Sequence, residues 1–219
     1  MLCRLCLKDW LPAIDANRRK INYKKGEMIF HENEEVKGMY FIYSGRVKVH
    51  KKWDNEKELI VRLAKNGDIV GHRGLGGDTI YPVSATALTA AEICFVDMEF
   101  FNSTLKVNQD FLYELMMFFA SELKESEKRM RNLAHMPVKG RVANALSALR
   151  TKFGTNSEGC INIQLSRQDL ASYTGTTYET VFRIMNELVQ ENLIKLEGKN
   201  IFIENESSLL QLCKNYHNH

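Results

Sequence analysis

Ser166-Arg167-Gln168-Asp169-Leu170-Ala171-Ser172-Tyr173-Thr174-Gly175-Thr176-Thr177-Tyr178-Glu179-Thr180-Val181-Phe182-Arg183-Ile184-Met185-Asn186-Glu187-Leu188 reads as two short helical patterns broken at Gly175. Ser166 is placed to cap a first helix whose inner side is Leu170 and Ala171. Gly175 supplies the tight turn that a residue with a Cβ resists. The second helix is expected to start at Thr176 or Thr177. Val181, Ile184, Met185, Leu188 and, further on, Leu193 recur at a spacing of three and four and face inward, which leaves Tyr178, Glu179, Phe182 and Arg183 outside. This is the pattern of a helix-turn-helix.

In a DNA major groove an arginine donates two parallel hydrogen bonds to guanine, and a carboxylate accepts from cytosine. Glu179 and Arg183 lie one helical turn apart, so a helix carrying them can read a G·C step. The other reading is a surface ion pair between those two residues on a helix pair that only packs. Downstream, Leu193 to Asn205 reads as two alternating runs joined by Glu197-Gly198-Lys199-Asn200, a hairpin signal. A hairpin behind a helix-turn-helix makes a winged helix. Lys199 at its tip can meet a phosphate or simply be solvated.

Working outward, Asn108 to Met136 contains neither proline nor glycine, the mark of one long helix. Leu112, Met116, Phe119, Leu123, Met130 and Leu133 recur along it in a heptad seam, with Ser126 in the one polar position. Phe111, Leu115 and Phe118 form a second apolar face. Two such faces suit one contact with the chain's own core and one with a partner, the simplest being a second copy in two-fold symmetry. Pro137 disfavours helical geometry at Met136 and marks the boundary of a C-terminal domain, with a further helix from Val138 to Phe153 stopped by Gly154.

Upstream, Lys20 to Val96 is a series of short alternating runs separated by glycine, the texture of a β-sandwich or barrel with a hollow between its sheets. Gly71-His72-Arg73-Gly74-Leu75-Gly76-Gly77-Asp78 interrupts that rhythm. Such glycine density suits close backbone approach to a ligand, or a plain flexible loop. His72 can contact a ligand or a haem iron, or just satisfy a local hydrogen bond.

The 219 residues suffice for one large or two modest domains, and a 44% hydrophobic content excludes a disordered tail. Residues 128–219 hold 12 Lys and Arg against 8 Asp and Glu, whereas residues 1–127 hold 18 against 19. The C-terminal part is therefore mildly basic, which is compatible with nucleic acid and equally with a solvated surface. No run approaches the roughly 18 apolar residues of a membrane span, and residues 1–10 lack a signal-peptide core, so a cytoplasmic protein without membrane contact is expected. Five unevenly spaced cysteines argue against a disulfide framework. Metal-hydrolase spacing, a nucleophile elbow and a phosphate-binding loop are all missing, so no enzyme is expected.

The layout from about Lys20 to Ile203 resembles the family of the cyclic-AMP receptor protein and the fumarate-nitrate reduction regulator. The resemblance rests on Lys25-Gly26-Glu27, Ser44-Gly45-Arg46-Val47-Lys48-Val49, Gly67-Asp68-Ile69-Val70-Gly71, Val138-Lys139-Gly140-Arg141-Val142-Ala143, Ser166-Arg167-Gln168-Asp169-Leu170 and Glu179-Thr180-Val181-Phe182-Arg183. It implies an α+β protein: a β-roll of the cyclic-nucleotide-binding kind (a double-stranded β-helix) in residues 1–107, a dimerisation helix in 108–136, and a winged helix in 137–219. It also implies a homodimeric transcription regulator that binds near-palindromic double-stranded DNA, meets RNA polymerase and senses a small effector in the roll. By position, Glu179 and Arg183 match base-reading residues, while Ser166, Arg167, Gln168 and Thr180 match phosphate contacts; Thr177, Tyr178, Phe182 and Lys199 complete the expected DNA face. Gly71, His72, Arg73, Gly74, Leu75, Ser84, Ser126 and Glu127 are the expected effector-site residues.

Departures from the family pattern shape the expectation about the effector. Cyclic-AMP-binding members look like Gly-Glu followed by Arg-Ser, whereas this chain has Gly71-His72 and Pro82-Val83-Ser84. Both the ribose-holding glutamate and the phosphate-neutralising arginine are gone, and Glu127 would repel a phosphate, so cyclic AMP is not expected. Cys3, Cys6 and Cys94 match part of the oxygen-sensing branch's cysteine set, but three thiolates do not complete a four-iron cluster. Cofactor and effector stay open. The rival from another class is a redox or ligand-binding protein whose winged helix contacts protein instead of DNA.

Overall fold

The computed structural model describes residues 6–54 and 57–214 and divides into two compact units, the first ending at Lys124 and the second beginning at Glu125. Cys3 lies outside the described residues.

In the first unit a short helix α1 (Leu11–Asn17) leads into eight strands: β1 (Arg18–Tyr23), β2 (Met28–Phe30), β3 (Gly38–Ser44), β4 (Arg46–Lys52), β5 (Glu58–Lys65), β6 (Ile69–Val70), β7 (Ser84–Ala87) and β8 (Ala91–Asp97). They form two four-stranded antiparallel sheets, ordered β1-β8-β3-β6 and β2-β7-β4-β5. The expected alternation is visible in β4, where Val47 and Val49 are buried and Arg46 and Lys48 are not. Met39, Phe41, Val47, Val49, Ala85 and Ile93 belong to one apolar core drawn from both sheets. Asp97 caps α2 (Met98–Val107) by accepting from the Phe100 amide at 2.9 Å. The N-terminal segment is pinned to α2 where Trp10 Nε1 donates to Thr104 Oγ1 at 3.1 Å and the Trp10 ring stacks on Phe100.

The long helix α3 (Gln109–His135) contributes to both units. Phe111 and Leu115 are buried in the core of the first, each worth about 1.5–3 kcal/mol by its burial. In the second unit α3 is followed by α4 (Val138–Phe153), with Pro137 as the N-cap of α4, where its missing amide is harmless. Next come α5 (Arg167–Thr174), α6 (Tyr178–Gln190), the hairpin of β9 (Ile194–Glu197) and β10 (Asn200–Ile203), and α7 (Glu206–Lys214). The polar loop after Gly154 returns through an isolated bridge between Thr155 and Ile161, and the Ile161 amide donates to the Ile201 carbonyl at 2.9 Å, adding a contact to the wing. Helix α7 lies close against α4: a Cβ on Gly140 would meet the Leu212 carbonyl at 3.0 Å. The expected α+β class, β-roll and winged helix are all present.

Gly45, between β3 and β4, has φ of +93°, and a Cβ there would stand 2.5 Å from the Ala90 carbonyl oxygen. Gly26 has a similar φ of +87° with nothing within 4 Å. Gly26→Ala should therefore show only the left-handed backbone penalty, roughly 1–2 kcal/mol. Gly45→Ala adds a backbone clash and should lower the urea-unfolding midpoint clearly more; equal losses would mean that the close approach carries no weight.

Candidate nucleic-acid interface and effector site

The helix-turn-helix is assembled by its caps. Ser166 accepts from the Asp169 amide at 2.9 Å and donates its hydroxyl to the Asp169 carboxylate at 2.6 Å, starting α5 at Arg167. Thr177 accepts from the Thr180 amide at 3.3 Å, so α6 starts at Tyr178, one residue beyond the later of the two expected starts. Gly175 closes α5 in the left-handed conformation, with φ of +65°. Two arginines then satisfy the carbonyls at that end. Arg141 donates to Thr174 O at 3.0 Å and Gly175 O at 3.2 Å, and also to Leu133 O and Met136 O at the end of α3. Arg129 donates to Tyr173 O at 2.8 Å and lies over the Tyr173 ring. Cations at a helix C-terminus also suit its dipole.

With Val181, Ile184, Met185 and Leu188 buried, α6 turns Tyr178, Glu179, Phe182 and Arg183 to solvent. The rings of Tyr178 and Phe182 stack at 6.4 Å. The Glu179–Arg183 ion pair, weighed as the alternative to base reading, does not form: Arg183 pairs with Glu187, one turn further on. An exposed pair of this kind is worth under about 1 kcal/mol, so the guanidinium is readily given up to a stronger acceptor. Arg167 at the first position of α5 is half-buried; burial pulls its guanidinium below the ordinary value, and Tyr178 opposes that pull. Gln168 is exposed and Thr180 half-buried in the same motif, while Lys199 is exposed in the wing turn.

In the first unit, Gly71 to Leu75 form a 3-10 turn and its flanks directly after β6. Gly74 packs so tightly that a Cβ would stand 2.5 Å from Val36 Cγ2, and Leu75 lies against the core. Ser84 is buried in β7, where its hydroxyl accepts from the Glu32 amide at 2.9 Å. His72 is 2% exposed, edge-on to Phe118 at 4.9 Å and to Phe119 at 5.6 Å. Around it gathers a charge cluster in which the expected His72 and Arg73 are joined by two residues not expected from the sequence, Arg62 and Glu122. Arg62 Nε stands 3.0 Å from Glu122 Oε1, Arg73 Nη2 3.1 Å from Glu122 Oε2, and His72 Nε2 3.8 Å from that second oxygen. Burial lowers the His72 imidazole from its ordinary value, against the pull of Glu122. For Glu122, burial pushes the carboxyl up, but His72, Arg62 and Arg73 outweigh it and hold it at about 2. A signal for Arg62 existed, a lone charge inside the apolar run Leu59-Ile60-Val61-Arg62-Leu63; nothing in the sequence points to Glu122 as its partner. Ser126 and Glu127 belong to the second unit, half-buried and exposed respectively.

Along α3, Leu112, Met116, Leu123 and Met130 are 46%, 55%, 61% and 60% exposed. Two other seam positions, Phe119 and Leu133, are half-buried, Phe119 because its ring turns to His72 and the roll. Cys94 is buried, Cys6 half-buried, and among the described residues no three His, Cys, Asp or Glu gather as a metal site. No described helix is long and apolar enough to cross a membrane.

Residues 20–108 match the cyclic nucleotide-binding domain family, and residues 140–212 the Crp-like helix-turn-helix domain family. The chain is 31% identical over 186 residues to the cAMP-activated global transcriptional regulator CRP of Salmonella typhimurium, covering 83% of this chain and 87% of that one. It is 24% identical over 206 residues to the CRP-like cAMP-activated global transcriptional regulator of Mycobacterium tuberculosis, covering 93% and 92%. Among solved structures, FixK2 from Bradyrhizobium japonicum shares the fold at a TM-score of 0.80 and 23% identity, covering 89% of this chain and 96% of that one.

The charge cluster makes a pH prediction. The folded Glu122 carboxyl titrates below its ordinary 4.5, so its stabilisation is complete above that value and fades as pH falls towards 2. Urea unfolding of wild type and Glu122→Gln should show a stability gap that is widest near neutrality and narrows below pH 4.5. A gap independent of pH would remove the carboxylate from the account.

Proposed function

This chain belongs to the CRP/FNR family of DNA-binding transcription regulators, and from that premise we propose that it reads a near-palindromic duplex site as a homodimer, governed by an effector in the β-roll other than cyclic AMP. The observation that carries the DNA reading is the solvent face of α6, with Glu179 and Arg183 one turn apart beside an exposed aromatic pair. Arg183 contacts guanine N7 and O6, Glu179 accepts from cytosine N4, and the rings of Tyr178 and Phe182 suit the methyl group of a neighbouring thymine. Ser166, Arg167, Gln168, Thr177 and Thr180 hold phosphates at the starts of α5 and α6, with Lys199 reaching the backbone from the wing.

The division of labour we infer is sensing in residues 1–107, dimerisation in 108–136 and DNA binding in 137–219, with RNA polymerase as the protein partner. Support for the dimer comes from Leu112, Met116, Leu123 and Met130, an apolar row left in solvent on a single chain. A self-complementary row of this kind closes in two-fold symmetry, which matches a near-palindromic site. The Salmonella typhimurium relative is cAMP-activated. Where cyclic-AMP-binding members look like Gly-Glu followed by Arg-Ser, this chain has Gly71-His72 and Pro82-Val83-Ser84, and the Ser84 hydroxyl is already engaged by the Glu32 amide. A buried cyclic phosphate without its arginine forfeits roughly 3–5 kcal/mol.

Arg183→Ala should weaken binding to a selected operator by about 1–3 kcal/mol and relax preference at one base pair, whereas Arg167→Ala should weaken all sequences alike and reduce the salt slope by about one. Binding titrations on matched and scrambled duplexes at several salt concentrations separate the two; equal loss on every sequence for both variants would overturn the assigned roles. Leu123→Glu should leave the fold intact and shift sedimentation from dimer to monomer. An unaltered dimer would take the seam off α3.

A further inference from the structure

Arg62 is 7% exposed inside an apolar strand, and a guanidinium so placed must be paired. Its Nη1 donates to the Ile69 carbonyl at 2.6 Å, its Nη2 stands 3.5 Å from Asp68 Oδ2, and its Nε faces Glu122. Arg73 faces the other oxygen of the same carboxylate, so each oxygen of Glu122 meets a different arginine. His72 completes the ring. It is almost fully buried, neither ring nitrogen has a hydrogen-bond partner, and Nε2 stops 3.8 Å short of the carboxylate. A carboxylate tethered to a helix thus satisfies the charge of the cluster without using all of its donors. The ring of Phe118, with Arg62 5.1 Å from its centre, walls off one side and keeps the local dielectric low.

We propose that Arg62, Arg73 and His72 form an anion-binding site in the β-roll whose resident anion is the chain's own Glu122. The roll is then closed on the first half of its long helix with no small anion supplied from outside, and the site accepts a free monocarboxylate once Glu122 is removed. The anion site stands on its own geometry. Its regulatory meaning rests on the reading of the roll as the sensing unit.

The test is chemical rescue of full-length Glu122→Ala. Thermal melting is followed in sodium formate and acetate against sodium chloride at equal ionic strength, alongside operator binding. The expected result is a lowered melting temperature that formate or acetate restores with a saturable, millimolar dependence, no such gain for wild type, and no rescue in the Glu122→Ala/Arg73→Ala double variant. If Glu122→Ala folds only when a carboxylate is added and not in chloride, that is the same positive result. Glu122→Gln, whose amide fills the space without the charge, should melt below wild type and gain nothing from acetate. Melting of Glu122→Ala or Glu122→Gln at the wild-type temperature, or a loss that chloride repairs as well as acetate, would overturn the site. Operator affinity should fall at least tenfold in Glu122→Ala and return with acetate. Rescued melting with operator affinity unchanged throughout would support the site and overturn the sensing reading instead.

Discussion

Phe111 and Leu115 are sunk in the core of the β-roll, while Leu112 and Met116, each one step round the same helix, stay in solvent. That asymmetry constrains much of the molecule. A helix with one apolar stripe would be content once it met the roll. Because α3 carries two, burying the first presents the second, and Leu123 is exposed as well. The hydrophobic effect that closes the roll therefore also leaves large apolar side chains of α3 in solvent.

Charge does the positional work that apolar packing cannot. Arg141 answers four carbonyls, two at the end of α3 and two at the end of α5, so one planar fork of donors sets the helix-turn-helix against the segment that precedes it. Ser166 and Thr177 set the starting residues of α5 and α6, and hence the rotation that turns Glu179 and Arg183 outward. In the roll, Arg62, Arg73 and Glu122 hold the first half of α3 by charge where the apolar contacts of Phe111 and Leu115 run out. Buried pairs of this type are specific because breaking one leaves an uncompensated charge in a low-dielectric setting.

Local chemistry was legible in the sequence. The Ser166 cap, the Gly175 turn, the Gly198 hairpin and the alternation in β4 all act over a few residues and stand where the patterns put them, whereas the Thr177 cap starts α6 one residue later than its pattern suggests. Features depending on distant partners were not legible. Arg183 prefers Glu187 to Glu179 although both are four residues away, because rotamer and neighbouring side chains decide between equal spacings. Phe119 fits the heptad seam by number, yet its ring turns to His72, a residue far upstream. Helix α7 buries Leu209, but its place beside Gly140 follows from the close approach that a glycine allows.

What the sequence alone determined is the family architecture and the identity of the outward residues on α6, since periodicity, capping and turn chemistry are short-range and each residue type reports its own conformational preference. What only the tertiary structure decided is who meets whom in the roll. Arg62, Arg73 and Glu122 come from a strand, a turn after β6 and the long helix, and no linear spacing relates them. Their meeting follows from desolvation: once closure of the sheets removes water from Arg62, its charge must find a carboxylate within reach, and α3 delivers Glu122.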